Sequence, residues 1–385
     1  MKGWDAIVIG LGGVGSAAVF ELAKRGLRVL GIDQYPPAHG YGSSHGQTRI
    51  VRQAYFEDPV YVPLLRRAYQ LWEELDRLSE DTLFVKCGVL QMGPPDGVVV
   101  PGVLASSKLH SLPIEEIGAA DVTNRWPGIH CDSDWVAVLE RNAGFVHVEQ
   151  CVRAHLALAE VKGAVLRHNA CVDKWTSVPE GVCVELAGEQ HFAAKLVLTV
   201  GPWANEKIMP ELGGEIRVLK KHLFWFGSNS NCYGLSAGMP CFFHETQNGY
   251  FYGFPQIDSD GVKLAMHSGG DMTSKPRIQD HDDPPLTEEY QHCDRYRSQF
   301  LNRLTDRLTK HQVCYYSMTP DENFMIGSDH GDDRVIMVCG LSGHGFKFTP
   351  VLGEIAAQMV NGERVPFNLN PFRPDRFTTD CPSGG

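Results

Sequence analysis

The chain opens on DAIVIG, LGGVG, SAAVFELAKRG and LRVLGID, in which apolar runs are separated by glycines. A run of four to six apolar residues without alternation predicts a strand buried on both faces, as in a parallel sheet. The order is therefore strand, glycine turn, helix, strand. A related unit recurs in mid-chain, where CVRAHLALAEVKG predicts a helix and AVLRHN and AKLVLTVGPW predict strands. Near the C-terminus, RVIMVCG, LSGHG and TPVLGEIAAQMVNG repeat strand, glycine loop and helix. Between these pieces LFWFG, CFFHETQNGYFYGFP and VKLAMHSGG read as antiparallel strands, with Asn248-Gly249 as a hairpin turn. A helix is predicted through LTEEYQHCDRYRSQFLNRLTDRLTK. The pattern predicts an α/β, Rossmann-like nucleotide-binding domain interleaved with a mainly antiparallel α+β substrate domain. Residues 1–83, 144–215 and 318–385 fall to the first and 84–143 and 216–317 to the second.

A length of 385 residues agrees with two or three domains. The net charge of −11 argues against an extended phosphate-binding surface, so nucleic acid is not expected as a partner, while a local basic pocket for a small anion is compatible with it. The 11 cysteines are scattered, with no Cys-x-x-Cys and no zinc-type spacing. That usage fits a reduced intracellular protein without a metal centre. The apolar start is cut by glycines and lacks a cleavage site, and no run reaches the ~18 residues of a membrane span. A cytoplasmic protein is expected.

Gly10, Gly12 and Gly15 form Gly-x-Gly-x-x-Gly between the first strand and the helix. Glycine suits a tight turn where backbone must approach a pyrophosphate, and the helix N-terminus presents free N–H groups to the anion. Asp33 closes the second strand, where a carboxylate can accept hydrogen bonds from ribose hydroxyls. FAD and NAD both satisfy this motif. The second glycine-rich segment, CGLSGHGFKFTPVLGEI, stands near the C-terminus and suits the far end of an extended cofactor, which favours FAD.

GSSHGQTRIVRQAY, YFYGFP, VKLAMH, CYYSMTPDENF and GLSGHGFKF occur here in the order that resembles the monomeric sarcosine oxidase family, which includes N-methyl-tryptophan oxidase and peroxisomal sarcosine/pipecolate oxidase. The resemblance runs from Asp5 to about Phe377 and implies a D-amino-acid-oxidase-like fold. It implies FAD joined through its 8α carbon to a cysteine, and Cys314 occupies the matching position. By local sequence alone Cys314 is an ordinary packed thiol.

The implied reaction removes hydride from the carbon beside an amine nitrogen, yields an imine that water hydrolyses, and reduces O2 to H2O2. Arg52 and Lys347 match the pair that binds the substrate carboxylate, a planar fork and a point charge. In VKLAMH, strand alternation puts Lys263, Ala265 and His267 on one face. Read alone, that face is an exposed one; the resemblance instead sets Lys263 beside the flavin as the residue that activates oxygen. His267, Tyr252 and Tyr316 match pocket positions that hold the amine. His45 and Arg49 match residues near the flavin ring, Arg49 supplying positive charge. Ser43 and Ser44 suit loop capping or pyrophosphate contact, and Gly343, Gly345 and Phe346 suit close backbone approach to the flavin.

Ser44 departs from the histidine of the bacterial members and agrees with the peroxisomal branch, and Gly327 replaces a common aspartate. The expected substrate is thus a secondary amino acid, N-methylated or cyclic, handled by a monomer. Competing readings are a dehydrogenase of the same fold that uses another electron acceptor, a noncatalytic flavoprotein and an NAD-linked dehydrogenase.

Overall fold

The computed structural model describes residues 3–204, 208–209, 215–278, 280, 285, 287–329 and 332–377. Leu286, at the start of the predicted central helix, and the stretches 1–2, 205–207, 210–214 and 378–385 of the predicted nucleotide domain lie outside the described residues.

The apolar strand Trp4–Ile9 is the centre of a parallel layer. It pairs with Val29–Ile32 on one side and Glu189–Leu198 on the other. Val165–Arg167 extends the layer beyond Val29–Ile32, and Asp332–Cys339 extends it beyond Glu189–Leu198. Ala6, Ile7 and Val8 are fully buried, as a strand covered on both faces requires. The hairpin Val172–Val178/Gly181–Leu186 pairs with the first half of Glu189–Leu198, and Met325–Asp329 edges the opposite side. Helix Gly13–Lys24 packs between Val148–Val161 and Thr349–Val360. Its approach to the latter is close because a Cβ on Gly353 would fall 2.6 Å from Ala17.

The second large sheet runs in the order Asp271–Thr273, Arg217–Ser228, Val262–Met266, Gly249–Gly253, Cys241–Thr246, Val89–Gly93, Val136–Glu140, Glu115–Gly118. Leu304–Met318 pairs along the length of Arg217–Ser228. All neighbours are antiparallel except Cys241–Thr246 and Val89–Gly93. A small third sheet joins Thr48–Val51, Gly144–His147 and Phe84–Val85. It holds the start of the loop that carries Arg52. No helix among the described residues is long and apolar enough to cross a membrane.

Two local expectations are corrected. The central helix spans Glu288–Phe300, capped by the Thr287 hydroxyl on the Tyr290 N–H, and the tail LTDRLTK is strand. Leu301, Leu304 and Leu308 suit a helix, but the pairing of this tail with Arg217–Ser228 and its β-branched Thr305 and Thr309 outweigh that spacing. The hairpin turn is Gln247-Asn248, one residue earlier than expected, because Thr246 already pairs with Gly249. The Thr246 hydroxyl accepts from Asn248 N–H and donates to the Gly249 carbonyl. Gly249 is needed for its φ of +117° and because a Cβ there would sit 2.3 Å from the Ser268 hydroxyl.

Candidate active site

A continuous cavity of about 270 Å³ runs from the glycine turn at Gly10–Val14 to Arg52, Tyr252 and His267. At its nucleotide end the turn is shaped by contact. Gly10 has φ +89°, and a Cβ on Gly15 would lie 1.7 Å from the Gly10 carbonyl oxygen. The Thr199 hydroxyl hydrogen-bonds that same carbonyl at 2.7 Å and ties the turn to the neighbouring strand. Gly12 faces the Ser44 side chain, whose hydroxyl accepts from Gly13 N–H at 3.0 Å and so caps the helix start. Asp33 lines the cavity and accepts from Leu11 N–H at 2.6 Å and Tyr35 N–H at 2.9 Å. Each of its oxygens has a further lone pair for a ribose hydroxyl.

The middle of the cavity is walled by Ser43, Ser44, Arg49 and the C-terminal glycine loop with Gly343, Gly345 and Phe346. Gly343 has φ +77°, and a Cβ there would strike the Tyr316 ring at 2.5 Å. Arg49, on the small sheet, donates to the Ser43 carbonyl at 3.0 Å, the Thr48 carbonyl at 2.9 Å and the Cys314 sulfur at 3.2 Å. Burial opposes the Arg49 charge, but Cys314, Tyr252 and Tyr316 outweigh it and raise the Arg49 pKa. Cys314 is buried and is not itself a wall residue, although Tyr315 and Tyr316 beside it are.

Lys263 and His45 are also buried and stand outside the wall. The strand Val262–Met266 buries both faces over Val262–Ala265, so the exposed reading of Lys263 fails. Its ammonium group donates to the carbonyls of Gly46 at 2.6 Å and Thr48 at 2.8 Å and lies 4.7 Å above the Phe254 ring. Burial, followed by repulsion from Arg49, pushes its pKa well below that of a free lysine.

At the far end Arg52 and Lys347, both buried, reach the cavity together. One Arg52 nitrogen contacts both oxygens of Glu57 at 2.7 and 2.8 Å, and the guanidinium lies 4.4 Å from the Tyr55 ring centre. Lys347 donates to the His344 carbonyl at 2.8 Å. Burial favours the neutral form of Lys347 and Arg52 repels its charge, which lowers its pKa to about 7. Burial would raise the Glu57 pKa, but Arg52 and Lys347 bring it down to about 2. Phe243, Tyr252 and Ala265 are register partners on adjacent strands, which brings Phe243 and Tyr252 to the same cavity wall. His267 Nδ1 lies 3.3 Å from the Tyr316 hydroxyl. The surface His267 exposes faces the cavity, and desolvation there lowers its pKa to about 3, so it is neutral. Burial raises Tyr252 to about 12 and Tyr316 well above a free phenol, so both keep their protons.

Sequence reasoning missed Glu57, Phe243 and His344, which line the same end. Glu57 and His344 fall beside or within motifs already singled out, TRIVRQAY and SGHGFKF. Phe243 carries no signal, since an aromatic in a strand reads as core.

These residues fit a dinucleotide cofactor: the glycine turn is a cradle that a Cβ would fill, with an anion-binding helix start beside it. Comparison with known proteins agrees. Residues 5–359 match the family model described as FAD dependent oxidoreductase. The chain is 37% identical to monomeric sarcosine oxidase of Streptomyces avermitilis, with 97% of this chain and 98% of that protein covered. It is 35% identical to N-methyl-L-tryptophan oxidase of Citrobacter koseri, with 97% and 99% covered. Among solved structures it resembles L-proline dehydrogenase from P. horikoshii, with a TM-score of 0.83 at 21% identity and 98% of each chain covered, a likeness of fold.

Proposed function

The chain belongs to the FAD-dependent oxidoreductase family, and from that premise we propose that it oxidises a secondary amino acid, N-methylated or cyclic, with O2 as acceptor and H2O2 as product. The observation that carries this reading is the pair of buried cations, Arg52 and Lys347, at the end of the cavity where His267, Tyr252 and Tyr316 also converge. A fixed guanidinium, with a lysine beside it whose charged form a bound carboxylate favours, suits a carboxylate attached to a small apolar body among aromatic walls. The names of the relatives, sarcosine oxidase and N-methyl-L-tryptophan oxidase, support the secondary amine.

Bound FAD supplies the acceptor for hydride from the substrate carbon and the place where oxygen is reduced. The chain's own residues bind and orient. Gly10, Gly12, Gly15, Asp33, Ser43 and Ser44 hold the nucleotide half. Gly343, Gly345, Phe346 and Arg49 would line the flavin half, with His45 buried behind that wall, and Cys314, held against Arg49, would be the residue that bonds to it. Arg52 exchanges Glu57 for the substrate carboxylate while Lys347 adds a second charge. Neutral His267 accepts a hydrogen bond from the amine, and Tyr252 and Tyr316 remain donors that exclude water. Lys263 acts on oxygen. We extend the reading to a monomer in the cytoplasm, in keeping with the name of one relative and with ten free cysteines among the described residues.

The test is a peroxidase-coupled assay of the purified holoenzyme with sarcosine, N-methyl-L-amino acids, L-pipecolate and L-proline. At least one should yield one peroxide per substrate oxidised. Anaerobic bleaching of the flavin without aerobic peroxide would assign the electrons to another acceptor. No bleaching by any secondary amino acid would overturn the reading.

A further inference from the structure

The sulfurs of Cys87 and Cys241 lie 3.8 Å apart, although 154 residues separate them in the chain. Cys87 sits in the link between strands Phe84–Val85 and Val89–Gly93, and Cys241 begins the strand that runs parallel to Val89–Gly93. Gly88, with φ +86°, turns the link, and its carbonyl accepts from Cys241 N–H at 3.0 Å. The backbone thus already holds the two residues side by side. Cys241 is fully buried, whereas Cys87 is only partly buried, so Cys87 is the more exposed of the two.

We propose that Cys87 and Cys241 are a peroxide-reactive dithiol that closes to a disulfide. The two thiols differ in the way such chemistry needs. A hydrogen bond from the Cys241 thiol lowers the Cys87 pKa, while burial raises that of Cys241. Cys87 attacks as thiolate: its sulfur bonds one peroxide oxygen, the O–O bond breaks, and hydroxide leaves and takes a proton. Cys241 then attacks the resulting sulfenic sulfur, forms the S–S bond and releases water. In sum two thiols lose two electrons and two protons, and one H2O2 becomes two waters. The sulfurs must close from 3.8 Å to about 2.05 Å, with the backbone already pinned by the Gly88–Ala143 and Cys241–Gly88 hydrogen bonds.

The experiment uses added H2O2, so its answer does not depend on whether the protein oxidises amines. The holoenzyme is treated with a modest excess of H2O2, quenched with catalase, denatured in iodoacetamide without reductant and analysed by mass spectrometry. Two alkylation equivalents should be lost together, with the peptides carrying Cys87 and Cys241 linked and both equivalents restored by dithiothreitol. In Cys241→Ser the link is absent and Cys87 proceeds to sulfinic acid. Should that variant not fold, Cys87→Ser, at the more exposed position, should leave Cys241 alkylated after peroxide. Full alkylation of both cysteines in the treated parent, or sulfinic acid at Cys87 without a link, would overturn the proposal.

Discussion

Arg49 holds a guanidinium nitrogen 3.2 Å from the sulfur of Cys314 and shares that nitrogen with the Ser43 carbonyl. The contact joins the small sheet to the long strand Leu304–Met318, elements more than two hundred residues apart in sequence. It fixes the sulfur next to the cavity-lining Arg49, and Cys314 shares a strand face with Tyr316, two residues on.

The first prediction follows from that placement. Acid precipitation of the wild-type protein should carry the yellow chromophore into the pellet, and Cys314→Ala should release essentially all of it to the supernatant. A small buried thiol replaced by alanine loses little packing, so the variant should remain folded and bind FAD noncovalently. A wild-type chromophore that stays in the acid supernatant removes the covalent bond and returns Cys314 to the core.

Lys263 provides the second. It donates to two backbone carbonyls in a buried site where its charge is held at a cost. Lys263→Met should slow reoxidation of the reduced flavin by about 10²-fold, the scale of losing one preorganised electrostatic group, while anaerobic reduction by substrate changes far less. The depressed pKa sets the sign of the pH effect. The ammonium form is lost as pH rises, so wild-type reoxidation should slow with rising pH and the variant should be flat. Stopped-flow mixing with O2 across a pH series separates the two, and equal rates in both proteins would exclude the role.

How much of this site could be read from the chain depends on the range of the forces involved. The turn at Gly10 and Gly15 was legible because its constraint is local: five residues apart, one glycine's missing side chain makes room for the other's carbonyl. The parallel strands were legible because burial on both faces leaves an unbroken apolar run. The tail after Phe300 was misread, since Leu301, Leu304 and Leu308 satisfy a helix and only the partner strand Arg217–Ser228 decides otherwise. Lys263 shows the same limit. Alternation places it on a strand face, but the carbonyls that receive its protons belong to residues more than two hundred positions earlier. The pairing of Arg52 with Glu57 spans only five residues, yet it needs the loop fold that no periodicity encodes.

That pairing gives the third prediction. Glu57 is ionised and occupies Arg52 before a substrate carboxylate arrives, so the two carboxylates compete for one guanidinium. Glu57→Gln keeps the shape and removes the competing charge. A simple carboxylate ligand should then bind about tenfold more tightly, which corresponds to roughly 1.4 kcal/mol, as read by titration of the flavin absorbance. Unchanged or weaker binding would show that Glu57 supports Arg52 more than it blocks it. The sign for stability is opposite. The folded-state pKa of about 2 lies below the ordinary carboxylate value, so Glu57 stabilises the fold above pH 4.5 and loses that contribution as pH falls towards 2. The variant should therefore melt lower than wild type at neutral pH, with the gap closing in acid.

Lys347 gives the last. Burial and the nearby Arg52 lower its pKa from 10.5 to about 7 in the free protein, so its charge is lost as pH rises through neutrality. A bound carboxylate favours the charged form, and binding therefore takes up a proton above pH 7. The Kd of a carboxylate ligand that lacks the amine should rise with pH above about 7, by up to tenfold per unit, the limit for one proton. The missing amine matters, because a substrate amine also titrates and would hide the effect. Lys347→Met should bind more weakly at pH 6 and show no such slope. Stability moves the other way. Between pH 7 and 10.5 the unfolded chain carries the Lys347 proton and the folded one does not, so folding becomes more favourable as pH rises through that window. Affinity and this residue's contribution to the melting temperature should thus trend in opposite directions over the same pH range in the wild type, and both trends should vanish in Lys347→Met. A Kd independent of pH from 6 to 9 in the wild type would mean that Lys347 does not face the ligand carboxylate and that Arg52 binds it alone.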